Sequence, residues 1–182
     1  FTGGSAAAEA TDAPNSAAVQ AFLAGYSIEV MPRTAAKVED FKALLPADTR
    51  VYIAHIDGTP IEDMLATAKR LREDGFQVMP HFPARIIADE TVLADWIQRY
   101  QDVGVDQALL LAGGVTKPRG DYHCSMQLLE TGLFDKAGFK RLHVAGHPEG
   151  NKDIDPDGSD RNVMDANRWK PSFHAPPAPK MA

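Results

Sequence analysis

A single cysteine, Cys124, stands in a chain of 182 residues, so neither an intrachain disulfide nor a multi-cysteine zinc site is open to it. A reducing cytoplasm is the compartment expected by default. His123 and His143 show no recognised zinc-ligand spacing with it. Long apolar runs are missing as well: nothing approaches the roughly 20 consecutive residues of a membrane-spanning helix. The opening, Phe1 to Ser5 followed by Ala, Glu and Asp, lacks the basic start and apolar stretch of a secretory signal. Positive charge is outnumbered, 19 basic against 25 acidic residues, and no basic stripe stands out, so no nucleic-acid partner is expected. Neither a Walker glycine loop nor a G-x-G-x-x-G fingerprint occurs, which excludes the two commonest nucleotide cradles. Asp153, Asp155, Asp157 and Gly158 imitate the start of a calcium loop, but Pro156 interrupts it and Met164 stands where the bidentate glutamate belongs. That segment reads as a solvated acidic loop.

What is present is an alternation of short strands and amphipathic helices. Residues 1–14 are small and polar and read as a flexible leader; Asn15 and Ser16 cap a short helix to Leu23. Strands are expected at Tyr26–Met31, Arg50–His55, Phe76–His81, Gln107–Ala112 and Arg141–Ala145. Between them, helices are expected from Thr34 to Leu45, from Thr59-Pro60 to Gly75, from Asp89 to Val103 and from Tyr122 to Phe134. Ile61, Met64, Leu65, Ala68 and Leu71 have the spacing of one buried helix face. The unbroken apolar run at Gln107–Ala112 suits a strand buried on both sides. A further helix is expected over Arg161–Lys170, ended by a tail, 171–182, with four prolines in twelve residues. Alternation with short connections means a parallel sheet in one α/β domain over 15–170. An eight-stranded barrel takes about 250 residues, or about 200 at the short end. Two architectures stay open: a doubly wound sheet, or a (β/α) barrel of five to six units, cut short.

Chemistry-bearing residues gather at the strand ends, where a barrel would keep its site. Glu29 sits inside the apolar run Ser27-Ile28-Glu29-Val30-Met31-Pro32. A carboxylate there is costly unless it is paired or reactive, and desolvation would suit it to general-acid work. An ion pair with Arg33 or a neighbouring-strand base is the plainer alternative. His81 ends the third strand, where loop carbonyls would equally satisfy it. Gly113 and Gly114 permit close backbone approach to a ring or pyrophosphate, and a simple strand-to-loop turn explains them as well. Tyr122 fits either a ligand contact or partial core.

Taken in order, these strand ends resemble the methylenetetrahydrofolate reductase family. Ser27 to Arg33 is similar to its serine-phenylalanine-glutamate first-strand motif, Val78-Met79-Pro80-His81 to its proline-histidine, and Val144 to Asn151 to its valine-alanine-glycine-tyrosine-proline-glutamate stretch. The resemblance spans about Ala21 to Lys170. It implies a TIM-type barrel, incomplete here, and an oxidoreductase in which FAD carries hydride between NAD(P)H and 5,10-methylenetetrahydrofolate, in either direction. It further implies Glu29 as the acid, with His81, Gly113, Gly114, Tyr122, Ala145, His147, Asn151 and Lys170 around FAD. The chain departs from the family at the fourth strand, where Val115 aligns with an aspartate and Gly113 with an arginine. His147 replaces a tyrosine, and Asn151 a histidine. An alternative expectation is a catalytically incomplete relative that keeps only residual flavin or folate binding.

Overall fold

The computed structural model describes residues 16–146, 150, 152 and 154–173. Five parallel strands, β1 (Ser27–Val30), β2 (Arg50–Ile53), β3 (Gln77–Pro83), β4 (Gln107–Leu111) and β5 (Arg141–Val144), pair in the order of the chain. A doubly wound sheet reverses its strand order at a switch point; this one does not. The arrangement is compatible with an arc of a β/α barrel.

The helices are α1 (Ser16–Leu23), α2 (Pro32–Ala35), α3 (Ile61–Glu73), α4 (Glu90–Asp102), α5 (Ser125–Glu130), α6 (Leu133–Lys136) and α7 (Arg161–Phe173). Asp89 caps α4 by accepting a bond from the Val92 amide, and the expected apolar stripe of α3 buries Met64, Leu65, Ala68 and Leu71. Register places Val51 beside Val78 and Phe82 beside Leu110, on the face that these helices cover. There Phe82, Tyr100, Phe134 and Phe139 make a chain of ring contacts, with neighbouring centroids 5.1 to 5.3 Å apart. Among the described residues no helix is long and apolar enough to cross a membrane.

The opposite face is concave and mixes polar side chains with apolar ones such as Leu109 and Leu111. Tyr52 on β2 donates or accepts a 2.8 Å hydrogen bond with Nδ1 of His143 on β5. Strands lie about 4.8 Å apart, so three intervals would separate β2 from β5 by about 14 Å in a flat sheet. The bond therefore requires the sheet to curl toward these side chains. Arg50, whose guanidinium reaches Gln77 at 3.1 Å, shares this face.

Four expectations need correction. The helix expected from Thr34 to Leu45 shrinks to α2, and turns follow. Arg70, reaching across from α3, donates to the carbonyls of Ala35, Val38 and Glu39 and stacks over Phe41, so the segment's carbonyls are held by a side chain and not by a helix ladder. The helix expected at Tyr122–Phe134 is two short ones. Thr131 divides them, donating to the Leu128 carbonyl and accepting from the Leu133 amide. In β4 only Ala108 and Leu110 are buried, because Leu109 and Leu111 point to the open concave side. Finally, α7 runs through Pro171 to Phe173, so the proline does not end the helix where it was expected to, although it removes one ladder bond and crowds the carbonyl four residues back.

Candidate functional site

Glu29, His81, Gly113 and Gly114, from three separate strand ends, line one cavity of about 410 Å³ at the carboxyl-terminal rim of the sheet. The apolar run around Glu29 does not bury it. Its side chain is 57% exposed because β1 is an edge strand among the described residues. The expected desolvation is therefore missing, and so is the pairing with Arg33. Its partner is His81, two strands away, whose Nε2 stands 3.1 Å from Glu29 Oε2. His81 is buried, and burial pushes its pKa below the ordinary histidine value although the Glu29 carboxylate pulls it back up.

Glycine is required at position 113 in two ways: its φ is +91°, and a Cβ there would stand 2.9 Å from Pro83 Cβ. Gly114 has open space around its Cα. Beyond them the chain turns back over the end of β3. Arg119 and Asp121 donate backbone bonds to the carbonyls of Arg85 and Ala88, at 2.9 and 3.2 Å. A Cβ on Gly120 would fall 1.7 Å from the Ala88 oxygen, so only glycine permits this approach. Arg85 ties the strap from beneath, donating to the carbonyls of Val115 and His123. At its far end Arg119 pairs with Asp57, from the loop after β2, at 2.6 Å.

Sequence reasoning missed two residues of this cavity, His55 and Asp57. His55 is buried against Trp96, ring centroids 4.9 Å apart, with Nε2 3.1 Å from the Thr59 carbonyl oxygen. A carbonyl only accepts, so Nε2 carries the hydrogen, and the buried Nδ1 is left as an acceptor with no partner. Burial first, then the nearby His81, lowers the His55 pKa, against the Thr59 carbonyl and Asp57. The signal was available: His55 follows a strand just as His81 ends one.

Ala145 lines a second cavity of about 320 Å³ with Arg85, Ser125, Asn162 and Asn167, and Leu111 belongs to both walls. Helix α7 covers it. Asp155, in the loop read as solvated, is instead buried and accepts from the amides of Asn162 and Val163 and from the Asn162 side chain. Burial works to raise its pKa, but those bonds outweigh it and the net shift is downward. Asp155 thus serves the start of α7.

Tyr122 is buried among core side chains and lines neither cavity. Burial, then Glu90, Asp121 and Asp89, pushes its hydroxyl pKa up. Lys170 lies on α7. Its side chain, like His147 and Asn151, falls outside the described residues. A wider groove of about 800 Å³ between α2 and α3 holds none of the expected site residues. Among the described residues no three His, Cys, Asp or Glu side chains gather as a metal site requires. No protein-family model matches the chain.

Proposed function

We propose that the chain is a flavoprotein of the methylenetetrahydrofolate reductase type, its sheet part of a TIM-type barrel, acting between NAD(P)H and 5,10-methylenetetrahydrofolate in a cytoplasmic setting. One observation carries this: Glu29, His81 and the Gly113-Gly114 turn, marked in the sequence by separate motifs, converge on a single rim cavity. The two adjoining cavities, about 410 and 320 Å³, lie in the size range of ligand sites. A ring could approach the backbone at Gly114, which nothing crowds. FAD would be held by His81, Gly113 and Gly114 on one side and by Ala145, Arg85, Asn162 and Asn167 on the other. The resemblance adds His147, Asn151 and Lys170, and Tyr122 contributes through packing.

When bound, FAD supplies the hydride transfer that amino-acid side chains cannot. The protein's own part is proton handling and orientation. Glu29 opens onto the cavity, where its carboxyl would serve as the proton-transfer group for a bound substrate. His81, with Nε2 3.1 Å from Glu29 Oε2, stands beside that carboxylate. Val115 lines the cavity where the resemblance expects an aspartate. That hydrocarbon wall favours a second reading, binding without turnover.

The deciding experiment is the visible spectrum of protein purified without added cofactor, then after FAD is supplied. Flavin bands that co-elute with the protein and bleach with NADH or NADPH support the reductase. Bands that persist in the presence of both nucleotides support binding alone. A colourless protein that stays colourless with FAD overturns both.

A further inference from the structure

Arg50, Gln77, Gln107 and Arg141 are the first residues of β2, β3, β4 and β5, at the end of the sheet away from the rim cavity. On β5, Leu142 and Val144 pack toward the helix-covered core, so Arg141 and His143 alternate onto the concave face. On β2, Val51 and Ile53 are core, and Arg50 and Tyr52 take the concave face. The 2.8 Å bond between Tyr52 and His143 draws these two strands together across the arc. Each arginine stands two residues earlier on its strand, so both guanidiniums extend from the same side of that bond. Both act on the His143 imidazole, whose pKa is lowered by burial first and then by Arg50 and Arg141.

Neither cation is neutralised. Among the described residues Arg50 and Arg141 make no ion pair, and Arg141 makes no side-chain hydrogen bond. Arg50 donates to Gln77 at 3.1 Å, while its buried Nε–H has no acceptor. The acids at this end are otherwise placed. Asp106 is held by Lys140 at 2.7 Å. Asp48 lines a cavity of about 460 Å³ with Arg50 and Gln77, yet forms no ion pair with Arg50.

We propose that Arg50 and Arg141 form an anion site at the amino-terminal end of the sheet. Its ligand is a compact tetrahedral oxyanion, either free phosphate or the terminal group of a phosphomonoester. A guanidinium offers a planar fork of N–H donors that matches phosphate oxygens. A tetrahedral anion turns oxygens toward both strands at once, which a single planar carboxylate does not. Gln77 and Gln107, paired in register with the two arginines, add neutral amides. The cavity beside Arg50, walled also by Leu23, Tyr26 and Pro46, has room for the organic part of an ester. The site does not depend on the flavoprotein reading.

Calorimetric titration with inorganic phosphate and, separately, glycerol phosphate tests the proposal, with succinate as the planar control. Saturation at one site is expected. Arg50→Gln and Arg141→Gln should each weaken binding tenfold or more. Arg119→Gln, which removes the same charge at the opposite end of the sheet, should change nothing. Arg141 is exposed, so Arg141→Gln keeps the test decisive even if Arg50→Gln fails to fold. Tighter binding of glycerol phosphate supports an ester ligand, and equal binding supports free phosphate. The charged and titratable groups shown facing His143 are Arg50 and Tyr52 from β2 and Arg141 from its own strand, while Leu109 beside it on β4 is apolar. A bound anion offsets the two guanidiniums, so the His143 titration followed by NMR should move upward on saturation. No saturable binding, equal loss in Arg119→Gln, equal affinity for succinate, or displacement of phosphate by FAD would each overturn the proposal. A protein that binds no FAD leaves every one of these readouts intact, so the two readings fail separately.

Discussion

Glu29 and His81 show how a residue's neighbours decide what it can do. If the reductase reading holds, Glu29→Gln should lower turnover by about 10²–10⁴-fold, the usual worth of a positioned acid, while flavin absorbance is retained; rapid-mixing kinetics would read this. The two adjacent glycines make a paired test of backbone demands. Gly113→Ala should destabilise the fold by roughly 1–3 kcal/mol, from left-handed backbone and overlap with Pro83, whereas Gly114→Ala should be close to silent in denaturant titration. Acidification acts through the buried imidazoles. His55 and His81 both have lowered pKa values in the folded chain, so the unfolded chain binds protons first. Stability is then full above about pH 6.5 and falls as pH drops through the lower folded values; melting temperatures across pH 7.5 to 5 would show it. The identities at the rim were legible because polar residues at strand ends stand out in apolar surroundings. The environment of Glu29 was not, since nothing local to Ser27–Pro32 says that β1 is an edge.

At the scale of elements, strong periodicity was legible and remote side-chain control was not. Helices α3 and α4 follow their apolar spacing to within a residue or two of the expected ends. The stretch after α2 has a helix-like composition, and what overrides it is Arg70, thirty-odd residues further along. Arg70→Ala should cost about 1.5–3 kcal/mol, the worth of hydrogen bonds from a charged donor, and should loosen 36–45 specifically in amide exchange. Asp155 teaches the same lesson in reverse. Read along the sequence it belongs to an acidic, solvated run; in space it is turned inward by the amides of Asn162 and Val163.

For the whole molecule, the parallel direction of the strands followed from the alternation alone, while their order and the curl of the sheet did not. Curvature is visible only in contacts such as Tyr52 with His143, between residues ninety-one positions apart. Protection should therefore be graded across the arc. Amides of β3, flanked on both sides and buried along nearly its whole length, should exchange slowest, and those of β1 and β5 fastest, by hydrogen-exchange mass spectrometry. Uniform protection across all five strands would contradict this layout. The match between strand order and chain order has a consequence for biosynthesis. From β2 onward, a partner for each strand has already been made when that strand leaves the ribosome, so the arc can lengthen vectorially, one β/α unit at a time, without waiting for distant sequence to arrive.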